Sequence, residues 1–168
     1  QTNVDDISDL EAWNGSLFAA TGETDAARIY RWSVSGNATS NTATNWLSIV
    51  TGTGQIASTD GATTVDRAVL QTYNGRLYSG ISTNATAGTT NAGAVHEYDA
   101  TTNSWTRLNS ANGTFAGQTN VNNVTMLVEY NQVLYVGTDD VSNLASVFVW
   151  EKYQSSSYQL QFTSANGN

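Results

Sequence analysis

The chain has no cysteine and no proline, and its 168 residues include one histidine and only six basic side chains. Without thiols it can form neither disulfides nor thiolate metal sites. Without proline its turns must reach special φ values through glycine, asparagine and aspartate. The lone histidine, His96, falls inside a predicted strand next to Val95, and no Ser-His-Asp or Cys-His arrangement can be assembled around it. Its expected role is structural. Nor is there a phosphate-cradling loop, because Thr51-Gly52-Thr53-Gly54-Gln55 has no following lysine and no following helix. A pair of carboxylates facing each other across a ring, as in glycosidases, is the one catalytic arrangement the sequence leaves open. The expectation is a protein that is not an enzyme, with no cofactor.

Against the six basic residues stand fourteen acidic ones, a formal charge of −8. Such a surface repels phosphate backbones and anionic lipid headgroups, which argues against nucleic acid and acidic membranes as partners. No apolar run approaches the length of a membrane span. Charged residues make up 12% of the chain and hydrophobic ones 39%, so solubility rests on Asn, Thr, Ser and Gly. This lysine-poor, neutral-polar composition points to an extracellular or cell-surface protein. The chain begins at Gln1, consistent with removal of a leader or with excision from something longer.

What the sequence does contain is a pattern written three times. The first repeat runs Val4 to Trp13, turns at Asn14-Gly15, returns as Leu17 to Thr21, and continues with Arg28 to Trp32 and Trp46 to Ile49. The second has Val65 to Tyr73, Leu77 to Ile81, Ala94 to Tyr98 and Trp105 to Leu108. The third has Val124 to Tyr130, Leu134 to Thr138, Ser146 to Trp150 and Tyr158 to Phe162. Each run is short, rich in aromatic and β-branched residues, and bounded by turn formers, so each reads as a strand. An Asn-Gly pair between two such runs, as at Asn74-Gly75, signals a tight hairpin. No stretch sustains a 3.6-residue apolar period, so essentially no helix is expected.

Alternation assigns the faces. Leu17, Leu77 and Leu134 share one face of the second run, while Phe18, Tyr78 and Tyr135 point the other way and are followed by the small residues Ala20, Gly80 and Gly137. Trp32, Tyr98 and Trp150 repeat as large residues of the third run. Large and small residues recurring in register are what closely stacked sheets need, so both faces of each unit are expected to be buried.

Four-stranded units that bury both faces against copies of themselves make a β-propeller. The second repeat also resembles a kelch repeat. Asn74-Gly75-Arg76-Leu77-Tyr78 matches the opening hairpin of that family, and Tyr98-Asp99 followed by Trp105 matches its Tyr-Asp corner and spaced tryptophan. The pattern departs after the second strand, where kelch repeats carry two glycines. Here Gly80-Ile81 and Gly137-Thr138 keep one, and the first repeat has Ala20-Thr21. The resemblance implies an all-β propeller that binds proteins or sugars more often than it catalyses.

The fold expectation is therefore a single kelch-like unit over residues 1–168, with blades at about 4–50, 65–108 and 124–163. Three blades cannot close a ring, and an open arc would expose two apolar faces. Either two chains complete a six-bladed ring as a homodimer, or the residues are a fragment of a longer propeller. Whole-blade boundaries favour the first. A structural subunit of an extracellular filament, in which the open faces join copies without closing, is a third reading.

Ligands of propellers favour long loops on one end of the scaffold. Here those are residues 22–27, 82–93 and 139–145 within the repeats, and 50–64 and 109–123 between them. Their polar candidates for ligand binding are Glu23, Asp25, Asp60, Asn84, Asn91, Gln118, Asp139 and Asp140. Asp139 and Asp140, like Glu23 and Asp25, carry oxygen ligands suited to Ca²⁺, although acidic loop tips are more often simply solvated. The functional expectation is a binding or assembly module that associates with itself. A glycan-binding lectin is its most specific alternative, with a protein or carbohydrate as ligand.

Overall fold

The structure is a computed structural model that describes residues 4–32, 45–52, 54–57, 65–83, 93–115, 118–140 and 143–150. It is all-β, with no α-helix among the described residues. Eleven strands follow in order: β1 Asp6–Trp13, β2 Ser16–Gly22, β3 Ile29–Trp32, β4 Trp46–Ser48, β5 Arg67–Tyr73, β6 Arg76–Ser82, β7 Ala94–Asp99, β8 Ser104–Arg107, β9 Asn123–Tyr130, β10 Val133–Asp140 and β11 Asn143–Trp150. These agree with the runs read from the sequence to within three residues at each end. The twelfth run, Tyr158 to Phe162, lies outside the described residues.

All eleven strands hydrogen-bond into one open antiparallel sheet. Pairing within it is uneven. β1 to β4 form one up-and-down meander, β5 to β8 a second, and β9 to β11 a third. The strand ladders that join the meanders are one residue pair long, Gly22 with Arg67 and Ser82 with Asn123. A ladder one pair long leaves each meander free to swing about the joint, so side chains must fix where it comes to rest.

They do so by alternation. In β5, Ala68 and Leu70 enter a core shared with the first meander, whereas Val69 and Tyr73 enter a core shared with the third. β6 and β7 divide likewise: Leu77, Ile81, Ala94 and Tyr98 point to one side, Tyr78 and Val95 to the other. The second meander is thus buried on both faces, as the period-two pattern requires. Gly80 marks how closely the third meander approaches, since a Cβ there would run into the Val124 side chain.

The hairpin turns bear out the asparagine signal. Asn14-Gly15 and Asn74-Gly75 both adopt positive φ at both residues, 49° and 73°, then 48° and 72°. The third hairpin turns at Asn131-Gln132 with the same geometry, 52° and 63°, although glutamine gains nothing from the left-handed region and pays for its Cβ there. His96 is fully buried in β7, opposite Ser79 and Arg107.

Two substitutions test these points. Gly80→Ala should lower unfolding free energy by about 1–3 kcal/mol, because Val124 must be pushed away. Gln132→Gly should raise it by about 1 kcal/mol by relieving the left-handed strain. Equilibrium denaturation of each variant against the parent reads both, and a stabilising Gly80→Ala would show that the two meanders do not touch at this point.

Candidate functional site

Burial on both faces stops at the second meander. All of the large exposed hydrophobic residues among those described lie in the first and third: Val4, Ile7, Leu10, Leu17 and Leu47, then Met126, Val128, Tyr130 and Val147. The expectation that Leu17 and Tyr135 would be buried like their counterparts is corrected accordingly. Leu17 is exposed and Tyr135 half-buried, whereas Leu77 and Tyr78 are sealed. The difference is one of neighbours, because the first meander has nothing before it and the third has nothing after it among the described residues.

Equivalent positions make the pattern plain. Leu70 and Leu127 point toward the preceding meander and are 4% and 6% exposed, whereas Leu10, at the equivalent position on the open side of the first, is 55% exposed. Tyr73 points toward the following meander and is 1% exposed, whereas Tyr130, at the equivalent position of the third, is 70% exposed. The open face of the first meander holds a groove of about 390 Å³ lined by Val4, Ile7, Leu10, Ala19, Tyr30 and Trp46. A bulge between Ile7 and Asp9 puts Ile7 and Leu10 on this same side.

The internal joints show how the equivalent faces are covered where a neighbouring meander is present. Between the first and second meanders, Trp13 packs on Phe18 at 5.9 Å and on Tyr98 at 5.9 Å, with Trp105 against Tyr98 at 4.9 Å. Polar groups finish the seam. Asp9 accepts the backbone N–H of its neighbour Leu10 and, through its other oxygen, that of Leu70, both at 2.8 Å, while Glu11 accepts from Thr72 N–H at 2.7 Å. Ser8 donates to the Ala68 carbonyl, Trp13 Nε1 to the Gly75 carbonyl at 2.9 Å, and Trp105 Nε1 to the Ile49 carbonyl at 3.0 Å. The bonds to Ala68, Leu70 and Thr72 satisfy the edge of β5 that no strand pairs over most of its length.

The loop residues named as ligand candidates are placed as follows. Glu23 is half-buried, with its N–H donating to the Asp66 carbonyl, and Asp25 is exposed with φ of 58° and its N–H on the Asp66 carboxylate. Asp139 is half-buried; its carboxylate accepts from Asn123 Nδ2 at 3.2 Å and its carbonyl from Asn122 N–H. Gln118 is exposed and pairs its backbone with Phe115. Asp140 ends β10. Asp60, Asn84 and Asn91 lie outside the described residues. Much of this end is therefore occupied in strapping one meander to the next, and among the described residues no three acidic or histidine side chains gather as a metal site would require.

At the opposite end a polar recess of about 410 Å³ is lined by Arg76, Glu97, Asp99, Arg107 and Trp150. Glu97 pairs with Arg76 and accepts from the Tyr78 hydroxyl at 3.1 Å. Burial, reinforced by the Glu97 charge, holds the Tyr78 phenol far above the ordinary range. Asp99 turns the β7–β8 corner by accepting the Thr101 N–H at 2.8 Å and the Thr102 hydroxyl at 2.9 Å, and these bonds, the Thr101 one foremost, hold its carboxyl below the usual range. A depressed folded-state pKa gives stability that is present above the unfolded value and lost as pH falls through the folded one. Asp99→Asn should therefore be less stable than the parent at neutral pH, with the gap closing in the acid range. Denaturant midpoints across that range read the effect, and a gap independent of pH would show that the carboxylate charge is immaterial to the corner.

No protein-family model matches the chain, and a search of curated proteins finds no match either.

Proposed function

We propose that the chain is a non-enzymatic assembly and binding module of kelch-like propeller type, secreted or displayed at a surface, and that a second copy of the chain completes it as a homodimer. In this reading the three meanders are blades. The observation that carries it is the distribution of exposed hydrophobic side chains, confined among the described residues to the outer faces of the first and third meanders at positions sealed in the second. Single exposed apolar residues are ordinary on protein surfaces, but two contiguous patches, each matching a buried internal seam, are interaction faces.

The driving force is the burial of apolar surface. Burying a leucine, valine or methionine side chain contributes about 1.5–3 kcal/mol at full burial. Leu10, Leu17, Met126, Val128 and Val147 on two such faces exceed what ordering their side chains costs. The charge of −8 opposes association at low ionic strength, so added salt should strengthen it.

Light scattering or sedimentation of the purified chain tests the reading. The expected species has twice the 17.9 kDa mass of the chain. Leu10→Glu and Val128→Glu, each at an already exposed position, should return it to the monomer while leaving the fold intact by circular dichroism. A parent chain that stays monomeric at every concentration would falsify the proposal.

A further inference from the structure

Three aromatic pairs recur at identical spacing, Trp13 with Phe18, Tyr73 with Tyr78 and Tyr130 with Tyr135, with ring centroids 5.9, 5.8 and 6.4 Å apart. In the first two pairs the leading ring does more than pack. Its polar tip reaches into the next meander and donates to the carbonyl of the second residue of the hairpin turn: Trp13 Nε1 to Gly75 at 2.9 Å, Tyr73 hydroxyl to Gln132 at 3.0 Å. Donors of different chemistry, indole and phenol, converge on equivalent carbonyls 62 and 59 residues further along. Convergence of that kind marks a joint whose geometry is repeated, not a chance contact.

Tyr130 is the third member of the series, and it is 70% exposed. The remaining member of the acceptor series is the carbonyl of Gly15, in the exposed Asn14-Gly15 turn with the same positive-φ geometry as the other two. Within one chain donor and acceptor belong to opposite ends of the row of meanders. Resting on the homodimer reading above, we infer that Tyr130 of each copy donates its hydroxyl to the Gly15 carbonyl of the other, so that the third meander of one chain docks on the first of its partner in the register of the two internal joints, twice over, in a closed ring.

The side chains around this lock agree with that register. Met126 stands where Val69 does, Val147 where Val95 does, and Tyr135 where Tyr78 does, and those three residues of the second meander are buried against the third. On the receiving side, Leu10 and Leu17 stand where Leu70 and Leu77 do, and where Leu127 and Leu134 do, all four of which are buried. Each copy thus carries both halves of a seam that it already forms twice internally. That complementarity selects a second copy of this chain as the occupant, because the two faces fit each other, not merely any apolar surface. Two copies bring six meanders together, within the four to eight at which such rings close, and a two-fold axis makes the two new joints identical.

The joints differ in one respect. Where the first meander offers Asp9 and Glu11 to the free edge of β5, the third offers Met126 and Val128 to the free edge of β1, and the Leu10 N–H there is already taken by Asp9. The joint between copies is therefore the most apolar of the three kinds, with Tyr130 as its directional bond.

Photochemical cross-linking through p-benzoylphenylalanine in place of the Tyr130 side chain tests the register, using a mixture of isotopically light and heavy full-length chains. The expected adducts join different copies, map to Trp13–Leu17, and stop at two chains. Tyr130→Phe, which keeps the ring, should weaken the dimer by several-fold to about tenfold, whereas Tyr73→Phe should lower fold stability with the dimer constant unchanged. A stable dimer whose adducts map elsewhere, or one indifferent to Tyr130→Phe, overturns the lock and leaves the homodimer standing. A ladder of products beyond two chains overturns ring closure, and a monomer at all concentrations overturns both.

Discussion

Everything in this molecule depends on the stacking of one meander on the next through a seam of aromatic and leucine side chains. Each strand ladder between meanders is one residue pair long, at Gly22 with Arg67 and at Ser82 with Asn123. So little backbone pairing cannot set an angle between sheets. Trp13, Phe18, Tyr98 and Trp105 set it at the first joint, and Tyr73, Tyr78, Leu134 and Trp150 at the second. The strictness of the period-two alternation in β5, β6 and β7 follows from this, because a slip of one residue would exchange the two cores.

The seam also solves the problem of strand edges. β5 pairs with β6 along its length but meets a backbone on its other side only at Arg67. Its remaining edge would present unpaired N–H and carbonyl groups to a partly dry interface, each costing about 1–3 kcal/mol if left unmet. Asp9 and Glu11 meet two of the N–H groups with charged acceptors, the Ser8 hydroxyl donates to the Ala68 carbonyl, and the Thr72 hydroxyl donates back to the Ala12 carbonyl of β1. Acidic residues inside a β1 strand otherwise read as surface charge. Here Asp9 and Glu11 are structural, and the bulge between Ile7 and Asp9 helps aim them.

Strand positions, hairpin turns and the facing of side chains were legible because they follow from local rules: alternation, Asn-Gly chemistry and the large-small register at Tyr78 and Gly80. What lay beyond the sequence was anything decided between meanders. Nothing local distinguishes Leu17 from Leu77, yet one is exposed and the other sealed, because exposure here belongs to the neighbour and not to the residue. The same holds for Asp9 and Glu11, whose partners are 61 residues away. The Asn131-Gln132 turn was placed by the runs on either side of it, Val124 to Tyr130 and Leu134 to Thr138, but its positive-φ geometry was not, because glutamine carries no turn signal. Of the loop acids chosen as ligand candidates, Glu23, Asp25 and Asp139 carry backbone or side-chain bonds that tie loops to linkers, a use that composition cannot separate from ligand binding.

A gradient runs across the row of meanders. Positions that point to the following unit carry Asp9, Glu11 and Trp13 in the first, Val69, Gln71 and Tyr73 in the second, and Met126, Val128 and Tyr130 in the third. At the first of these places a carboxylate gives way to valine and then methionine, at the second to an amide and then valine, so the charge at these places is confined to the first meander. Carboxylates suit a joint formed once during folding, where the chain itself holds donor and acceptor together and the bonds to Leu70 and Thr72 form without any loss of translational freedom. A joint between separate copies must offset that loss, and a carboxylate left bare in the free chain would first have to shed its water. Apolar side chains lose little on leaving water, so the outermost face gains most by being the least charged. The uncharged outer face of the third meander is thus what the proposed joint between copies requires.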